Sequence, residues 1–436
     1  MEYPRVLVIA HNPFSDSQNN GKTLSAFFDG WPKDKLAQIY LTPDKPDYTV
    51  CENFFRITDL EVLKSLLKKD KSRGNIIEKG CTLENEKEEL HKNGLYILIK
   101  NLFVKRLPLM YCVRNFVWEI VKPWKTSNLQ NWISNFNPDV VFFQSSNMYS
   151  IFDMVNDICD QFNVELLMET TDDYVTKHFS LDPFYLFDIN KMIKKYEKLV
   201  KKSKCVFAIG DMMAEEYERR FGGNFKVAMN SVDISNNVVP YTEVKNKKTI
   251  MTYAGNLGLN RWKVLYKIGK TLKELEKDGV KAKLNIYSID KPNKKILKKL
   301  NLANVMSYNG SLDKKELIDV RNNSDILVHV ESFDKKNKYI TRLSVSTKIP
   351  EYLASKRCIL AVGPEEVASI KYIADNKIGT VIDCLQENNM KKIIMEIITN
   401  RKKREIFIKN ADKILKEKHS FEMTRSLIHR EITNSI

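Results

Sequence analysis

The sequence predicts an α/β protein built as two doubly wound domains, and three observations carry that prediction. Short, continuous apolar runs recur between segments of helical period. The series is broken once by a polar stretch, and beyond that stretch it starts again. Uninterrupted apolar runs suit strands buried on both faces, as in a parallel sheet covered by helices, and their alternation with helical segments is the signature of βα units.

The first series opens with a strand at Arg5–Ala10, a polar loop from His11 to Lys22, a helix over Thr23–Phe28 and a strand at Leu36–Leu41. It continues with strands at Asp139–Phe143, Glu165–Met168, Cys205–Ile209 and Asn224–Met229, and with helices at Ser150–Phe162 and Ile189–Lys202. The stretch Asp233–Lys248, with Pro240 and several asparagines, reads as a linker. The second series has strands at Thr249–Ala254, Lys283–Tyr287, Val305–Tyr308, Ile326–Val330, Cys358–Val362 and Gly379–Asp383, and helices at Trp262–Lys277 and Lys314–Asn322. These series predict two Rossmann-like domains facing a cleft, at 1–235 and 236–419, with a C-terminal helix at 420–436 returning to the first. The segment of about 60–132 exceeds a minimal βα count and reads as a helical insert. It mixes aromatic and aliphatic residues with Lys100, Lys105, Arg106, Arg114, Lys122 and Lys125, which suits either packing on the first domain or a membrane interface.

The chain has 436 residues, enough for two cores, and 43% of them are hydrophobic. Its formal net charge of +16 points to an anionic partner, such as a phosphorylated substrate, anionic lipid or nucleic acid, or to a lysine-rich surface with no such role. No nucleic-acid motif accompanies the charge, so nucleic acid is not expected. Seven cysteines are scattered without CxxC or Cys/His spacing, which points away from zinc and disulfides. No apolar run reaches the length of a membrane span, and Met1-Glu-Tyr-Pro-Arg leads straight into a strand. The expected location is therefore the cytoplasm, or the inner face of its membrane.

The stretch most informative about chemistry is Ser344–Ser355, between two apolar strands. Hydroxyl side chains and Lys348 precede Pro350, and Glu351 follows in what would be a first helical turn. Backbone N–H groups at Ser346 and Thr347, aided by Lys348, suit a diphosphate. A carboxylate at Glu351 suits the vicinal hydroxyls of a ribose, or serves only the helix end. Asn19-Asn-Gly-Lys-Thr23 is not a P-loop, because Asp16 stands where the earlier glycine would be.

Five segments resemble, in order, the family-four-like, retaining GT-B glycosyltransferases. They are Asn19–Thr23 after the first strand, Asn137-Pro-Asp-Val-Val141, Asn230-Ser-Val-Asp233, Tyr253-Ala-Gly-Asn-Leu257, and Ser344–Leu353 followed by Lys356–Ala361. The resemblance spans nearly the whole chain. It implies transfer of a sugar from a nucleotide-diphosphate sugar, UDP- or GDP-linked and without a metal or other cofactor, to a hydroxyl of a glycan or lipid-linked acceptor in cell-surface polysaccharide synthesis. It implies donor contacts from Gly255, Asn256, Arg261, Tyr308, Gly310, Ser346, Thr347, Lys348 and Glu351, and places Gly21, Asp172 and Asp173 on the catalytic, acceptor side.

The chain departs from the family pattern in four places. Leu343 stands where a first glutamate precedes Glu351, with Glu331 and Ser344 out of register. Asn20 replaces a second glycine beside Gly21. Of the arginine and lysine that the family offers to the diphosphate, Arg261 is well placed and Lys263 is not. Asp172 and Asp173 replace a His-Asp pair at the strand end, and His11, at the end of the first strand, would also reach the cleft. A nucleotide-sugar epimerase of the same fold, or a non-catalytic nucleotide-sugar-binding protein, remains open.

Overall fold

A computed structural model describes residues 3–15, 19–67, 73–79, 108–234 and 248–436. The chain divides into two compact units. Unit 1 comprises residues 1–228 and 424–436, and unit 2 comprises Met229–Met423.

In unit 1 the elements run β1 (Val6–Ile9), α1 (Asn19–Phe28), β2 (Leu36–Tyr40), β3 (Asn53–Arg56), α2 (Asp59–Leu67), β4 (Asn75–Ile77), α3 (Pro108–Val121), α4 (Ser127–Phe136) and β5 (Val140–Gln144). They continue with α5 (Tyr149–Phe162), β6 (Glu165–Thr170), α6 (Pro183–Lys202), β7 (Cys205–Ala208), α7 (Asp211–Phe221) and β8 (Phe225–Val227). The eight-stranded sheet has the order β4-β3-β2-β1-β5-β6-β7-β8. It is parallel except for β4, which pairs antiparallel with β3. Every side chain of β1 and β5 is buried, as their uninterrupted apolar runs require.

Unit 2 runs β9 (Thr249–Ala254), α8 (Arg261–Lys277), β10 (Ala282–Tyr287), α9 (Lys294–Leu300), β11 (Met306–Tyr308), α10 (Lys314–Asn322), β12 (Ile326–Val330) and α11 (Lys335–Thr341). Then come α12 (Lys348–Ala354), β13 (Cys358–Val362), α13 (Ala368–Asp375), β14 (Gly379–Ile382), α14 (Glu387–Thr399) and α15 (Arg401–Lys418). Its six strands are all parallel in the order β11-β10-β9-β12-β13-β14. The last helix, α16 (Phe421–Thr433), puts Ile428 and Ile432 into the core of unit 1.

The predicted fold class is what the chain adopts, two Rossmann-like parallel sheets covered by helices. Three expectations change. The loop after β1 is shorter than read, because α1 starts at Asn19 rather than Thr23 and so includes Gly21. Strand β3 was not foreseen. The segment of about 60–132 is not wholly helical, since β4 lies within it as an edge strand. Within the linker and the insert, residues 235–247 and the run Leu95–Arg106 lie outside the described residues.

Both sheets reverse their strand order once, between β1 and β5 in unit 1 and between β9 and β12 in unit 2. Beyond the carboxyl ends of the strands, such a reversal opens a crevice because the crossovers leave in opposite directions.

Candidate functional site

At the reversal in unit 2, the chain leaves β9 through Gly255–Asn260 and enters α8 at Arg261. Leu259 and Asn260 have positive φ, which turns the backbone sharply into the helix. The loop is tied from within. Tyr253 is fully buried and donates its hydroxyl to the carbonyl of Asn256, while the Leu257 N–H donates to Asp290. Arg261 donates Nη1–H to Asn256 Oδ1 at 2.6 Å and Nη2–H to both carboxylate oxygens of Glu331 at 3.0 and 3.2 Å.

Glu331 directly follows β12 and is 3% exposed, with His329 Nε2 at 3.4 Å. Burial pushes its carboxyl upward, but His329 and Arg261 outweigh that and hold it below the usual carboxylate range. Burial lowers His329.

Lys348, the first residue of α12, is the second cation here. Its ammonium lies 5.3 Å from the centre of the Tyr253 ring and against Gly255, where an added Cβ would sit 1.9 Å from Nζ. Gly255 is thus the residue type that leaves room for the amine. Burial, and then the charge of Arg261, push Lys348 down to about 8. Two cations close enough for the charge of Arg261 to depress Lys348 favour an arriving anion of higher charge.

The other predicted donor residues are placed as follows. Glu351 lies in the first turn of α12 and forms an ion pair with Arg321 of α10, which is 7% exposed. The Ser346 N–H donates to Ser369 Oγ at 2.9 Å, so that amide is committed within the fold; Thr347 is exposed. Helix α12 has seven residues and carries little dipole, so the charge here comes from side chains. Tyr308 ends β11 and donates its hydroxyl to the carbonyl of Asp290, bracing the loop that also holds Leu257. Gly310 has φ +80° and accepts from the Ser288 N–H at 2.8 Å, a turn that a side chain would strain.

In unit 1, Gly21 lies in the first turn of α1, where an added Cβ would stand 2.1 Å from the Pro13 carbonyl oxygen. Its lack of a side chain is therefore required by packing of the loop after β1. Asp173 accepts from Tyr217 at 2.6 Å, and Asp172 is exposed and accepts from Tyr174 at 3.2 Å. His11 follows β1; burial pushes it down to about 4, which makes it a neutral imidazole.

The structure thus gathers Gly255, Asn256, Arg261 and Lys348 at one strand reversal and adds Glu331 and His329, to which sequence reasoning gave no role. The available signal was position, since Glu331 sits just past the carboxyl end of a buried strand that is apolar except for His329. Among the described residues, no group of three or more His, Cys, Asp or Glu side chains is gathered as metal ligands.

No protein-family profile matches the chain, and no curated protein matches it by sequence. Solved structures do match it. Sucrose-phosphate synthase from Thermosynechococcus elongatus superposes with a TM-score of 0.61 at 10% identity, over 99% of this chain and all of that one. HepE of Anabaena, in complex with UDP-glucose, gives 0.61 at 10% identity over 98% and 99%. WaaG, a glycosyltransferase of lipopolysaccharide biosynthesis, gives 0.56 at 12% identity over 97% and 98%. At these identities the likeness establishes the GT-B fold.

Proposed function

We propose that the chain is a glycosyltransferase of retaining type, moving a sugar from a nucleotide-diphosphate sugar to a hydroxyl of a glycan or lipid-linked acceptor. The observation that carries this is the pair of cations at the strand reversal of unit 2, Lys348 against Gly255 and Arg261 on Asn256. The neighbours' chemistry supports it, and the UDP-glucose complex of HepE favours UDP as the carrier. Lys348 and Arg261 take the diphosphate, Arg261 exchanging its Glu331 partner for phosphate oxygens. Glu351 takes the ribose hydroxyls, and the Tyr308–Gly310 turn takes the base.

In the reaction the bond from the anomeric carbon to the diphosphate oxygen breaks, and a bond from the acceptor oxygen forms on the same face of the sugar. The cations stabilise the charge that develops on the leaving group. The acceptor hydroxyl gives up its proton as it attacks. We place Asp172 nearest that role, since its side chain is exposed while that of Asp173 is half-buried against Tyr217. A lipid-linked acceptor at the inner membrane face agrees with the net charge of +16 and with the exposed apolar face of α3.

Full-length protein incubated with UDP-, GDP- and TDP-sugars, with and without membrane lipid extract, tests the proposal through release of nucleoside diphosphate. Release that depends on the extract is expected. Interconversion of the sugar without an acceptor identifies an epimerase. Binding of nucleotide sugar without turnover, with any extract, identifies a non-catalytic binder. A folded sample that binds none of the donors overturns the reading.

A further inference from the structure

The loop that carries Arg261 holds a conformation its sequence does not favour. Arg261 donates its backbone N–H to the Gly258 carbonyl at 3.1 Å, which closes a four-residue turn around Leu259 and Asn260. Both central residues have positive φ, +53° for Leu259 and +61° for Asn260. Glycine, asparagine and aspartate are the residues that populate this class of turn. Asn260 fits it. Leu259 does not, because its Cβ crowds the backbone in the left-handed region. Contacts from outside the turn are therefore needed to hold it shut.

The segment after β12 supplies two such contacts. Asn337 of α11 donates Nδ2–H to the Leu259 carbonyl at 2.9 Å, and Asp334, which caps the start of α11, accepts from Asn260 Nδ2. Three residues apart at the head of one helix, the two side chains lie on the same face. Asp334 is also 3.2 Å from Lys263 Nζ, but their side chains are 42% and 50% exposed, so that ion pair is worth little. The holding segment is itself anchored. The Asp334 N–H donates to Ser332 Oγ at 3.2 Å, Ser332 is buried, and Phe333 packs against the hydrophobic core of unit 2.

We infer that Asp334 and Asn337 are positioning residues that keep the Gly258–Arg261 turn closed before any ligand arrives, so that Arg261 is already placed for the diphosphate. The inference rests on the proposed donor site and adds to it two residues that act through Arg261. A cation on a loop that is formed in only a fraction of the molecules binds its anion with an affinity lowered by that fraction. Two side-chain hydrogen bonds to an unfavourable turn raise the fraction. The ordering is then complete in the free protein and no longer subtracts from binding.

Isothermal titration of the full-length protein with UDP tests this. Asn337→Ala should lower UDP affinity by about 3–10-fold, the net worth of one hydrogen bond. Asp334→Ala should do the same, and Asp334→Asn should not, because an amide oxygen still accepts from Asn260. In an Arg261→Met background, Asn337→Ala should change the affinity by less than about twofold, since no cation is left for the turn to place. Leu259→Asn should restore most of the affinity lost in Asn337→Ala, because asparagine adopts the turn that leucine resists.

UDP binding that Asn337→Ala and Asp334→Ala leave unchanged overturns the inference and spares the donor site. An equal loss in the Arg261→Met background also overturns it, because the two residues would then act elsewhere than through Arg261. So does a failure of Leu259→Asn to recover Asn337→Ala. A folded wild type that binds no UDP overturns the donor site, and the inference with it. Thermal melting of each variant separates lost binding from lost folding, and Asp334→Ala, at a half-exposed side chain, carries the test if Asn337→Ala does not fold.

Discussion

At the scale of single residues, Lys348 is the position where chemistry and stability pull apart. Its amine is charged below about 8 and neutral above, against an ordinary value of 10.5. A bound diphosphate favours the charged form, so UDP affinity should be level up to about pH 8 and fall above it. In Lys348→Met the affinity should be lower by about 10–100-fold, the worth of a charge-assisted hydrogen bond, and flat with pH. Isothermal titration at several pH values checks both. The sign for folding is opposite. A lysine whose folded value is depressed costs stability wherever the unfolded chain would still be protonated, and that cost is present at neutral pH and fades as pH rises through 8 toward 10.5. Lys348→Met should therefore unfold at higher urea than wild type at pH 7, with the gap closing by pH 10.

Glu351 needs a different test, because it has two partners to answer for. Its ion pair with Arg321 is partly buried, so Glu351→Gln should cost about 1–3 kcal/mol of stability even if the residue never meets a ligand. The ribose role is isolated by comparing UDP with 2′-deoxy-UDP. Wild type and Arg321→Met should prefer UDP, and Glu351→Gln should lose the preference; equal discrimination in all three removes Glu351 from the ribose. At this scale the charges of Lys348 and Arg261 stood out in the sequence beside apolar strands, and the structure brings the two near each other at the strand reversal, while it pairs Glu351 with Arg321. Glu331 did not stand out, because its link to Arg261 and His329 is made across the fold and spacing along the chain does not carry it.

At the scale of elements, the strands that read clearly are those whose apolar runs are buried on both faces, such as β1, β5, β12 and β13. Strands β3 and β4 lie toward the sheet's edge, are short, and mix Asn, Arg and exposed positions into their runs, so periodicity lost them. Helix α1 begins earlier than its apolar run because its first turn is polar, and only the packing of Gly21 against the Pro13 carbonyl reveals why a glycine stands there. The same argument makes a prediction in β14. A Cβ on Gly379 would stand 2.5 Å from the Ile359 carbonyl oxygen of β13, backbone that cannot step aside without breaking the ladder. Gly379→Ala should destabilise unit 2 by about 1–3 kcal/mol, the usual cost of overpacking, seen as a lower urea midpoint. An unchanged midpoint would mean that the two strands separate freely.

At the scale of the whole molecule, the charge and the exposed apolar surface bear on one question, where the chain works. Helix α3 buries Asn115, Trp118 and Val121 on one side, with Trp118 and Arg114 bonded to Asp59 and Glu119 bridged to Lys191 and Lys195. Its opposite side carries Leu109, Val113, Phe116 and Ile120, spaced to form one stripe and 43–59% exposed. Next to it, where Cys112 meets the Phe184 carbonyl, Phe179, Leu181, Phe184 and Phe187 are exposed as well. The stripe and its aromatic neighbours are the surface for the proposed contact in the interface plane of a membrane, and no helix among the described residues is long and apolar enough to cross one. Anionic headgroups complement a chain of net charge +16, and each nearby lysine adds about 1 kcal/mol of attraction that salt screens. The protein should therefore sediment with vesicles containing phosphatidylglycerol and far less with pure phosphatidylcholine, and raised salt should release part of it. Replacing two stripe residues, Phe116→Glu with Ile120→Glu, should remove most binding while leaving UDP affinity and melting temperature unchanged, because both side chains face away from the packed side of α3. Equal sedimentation of that variant would leave charge alone as the attraction and take the apolar stripe out of the account.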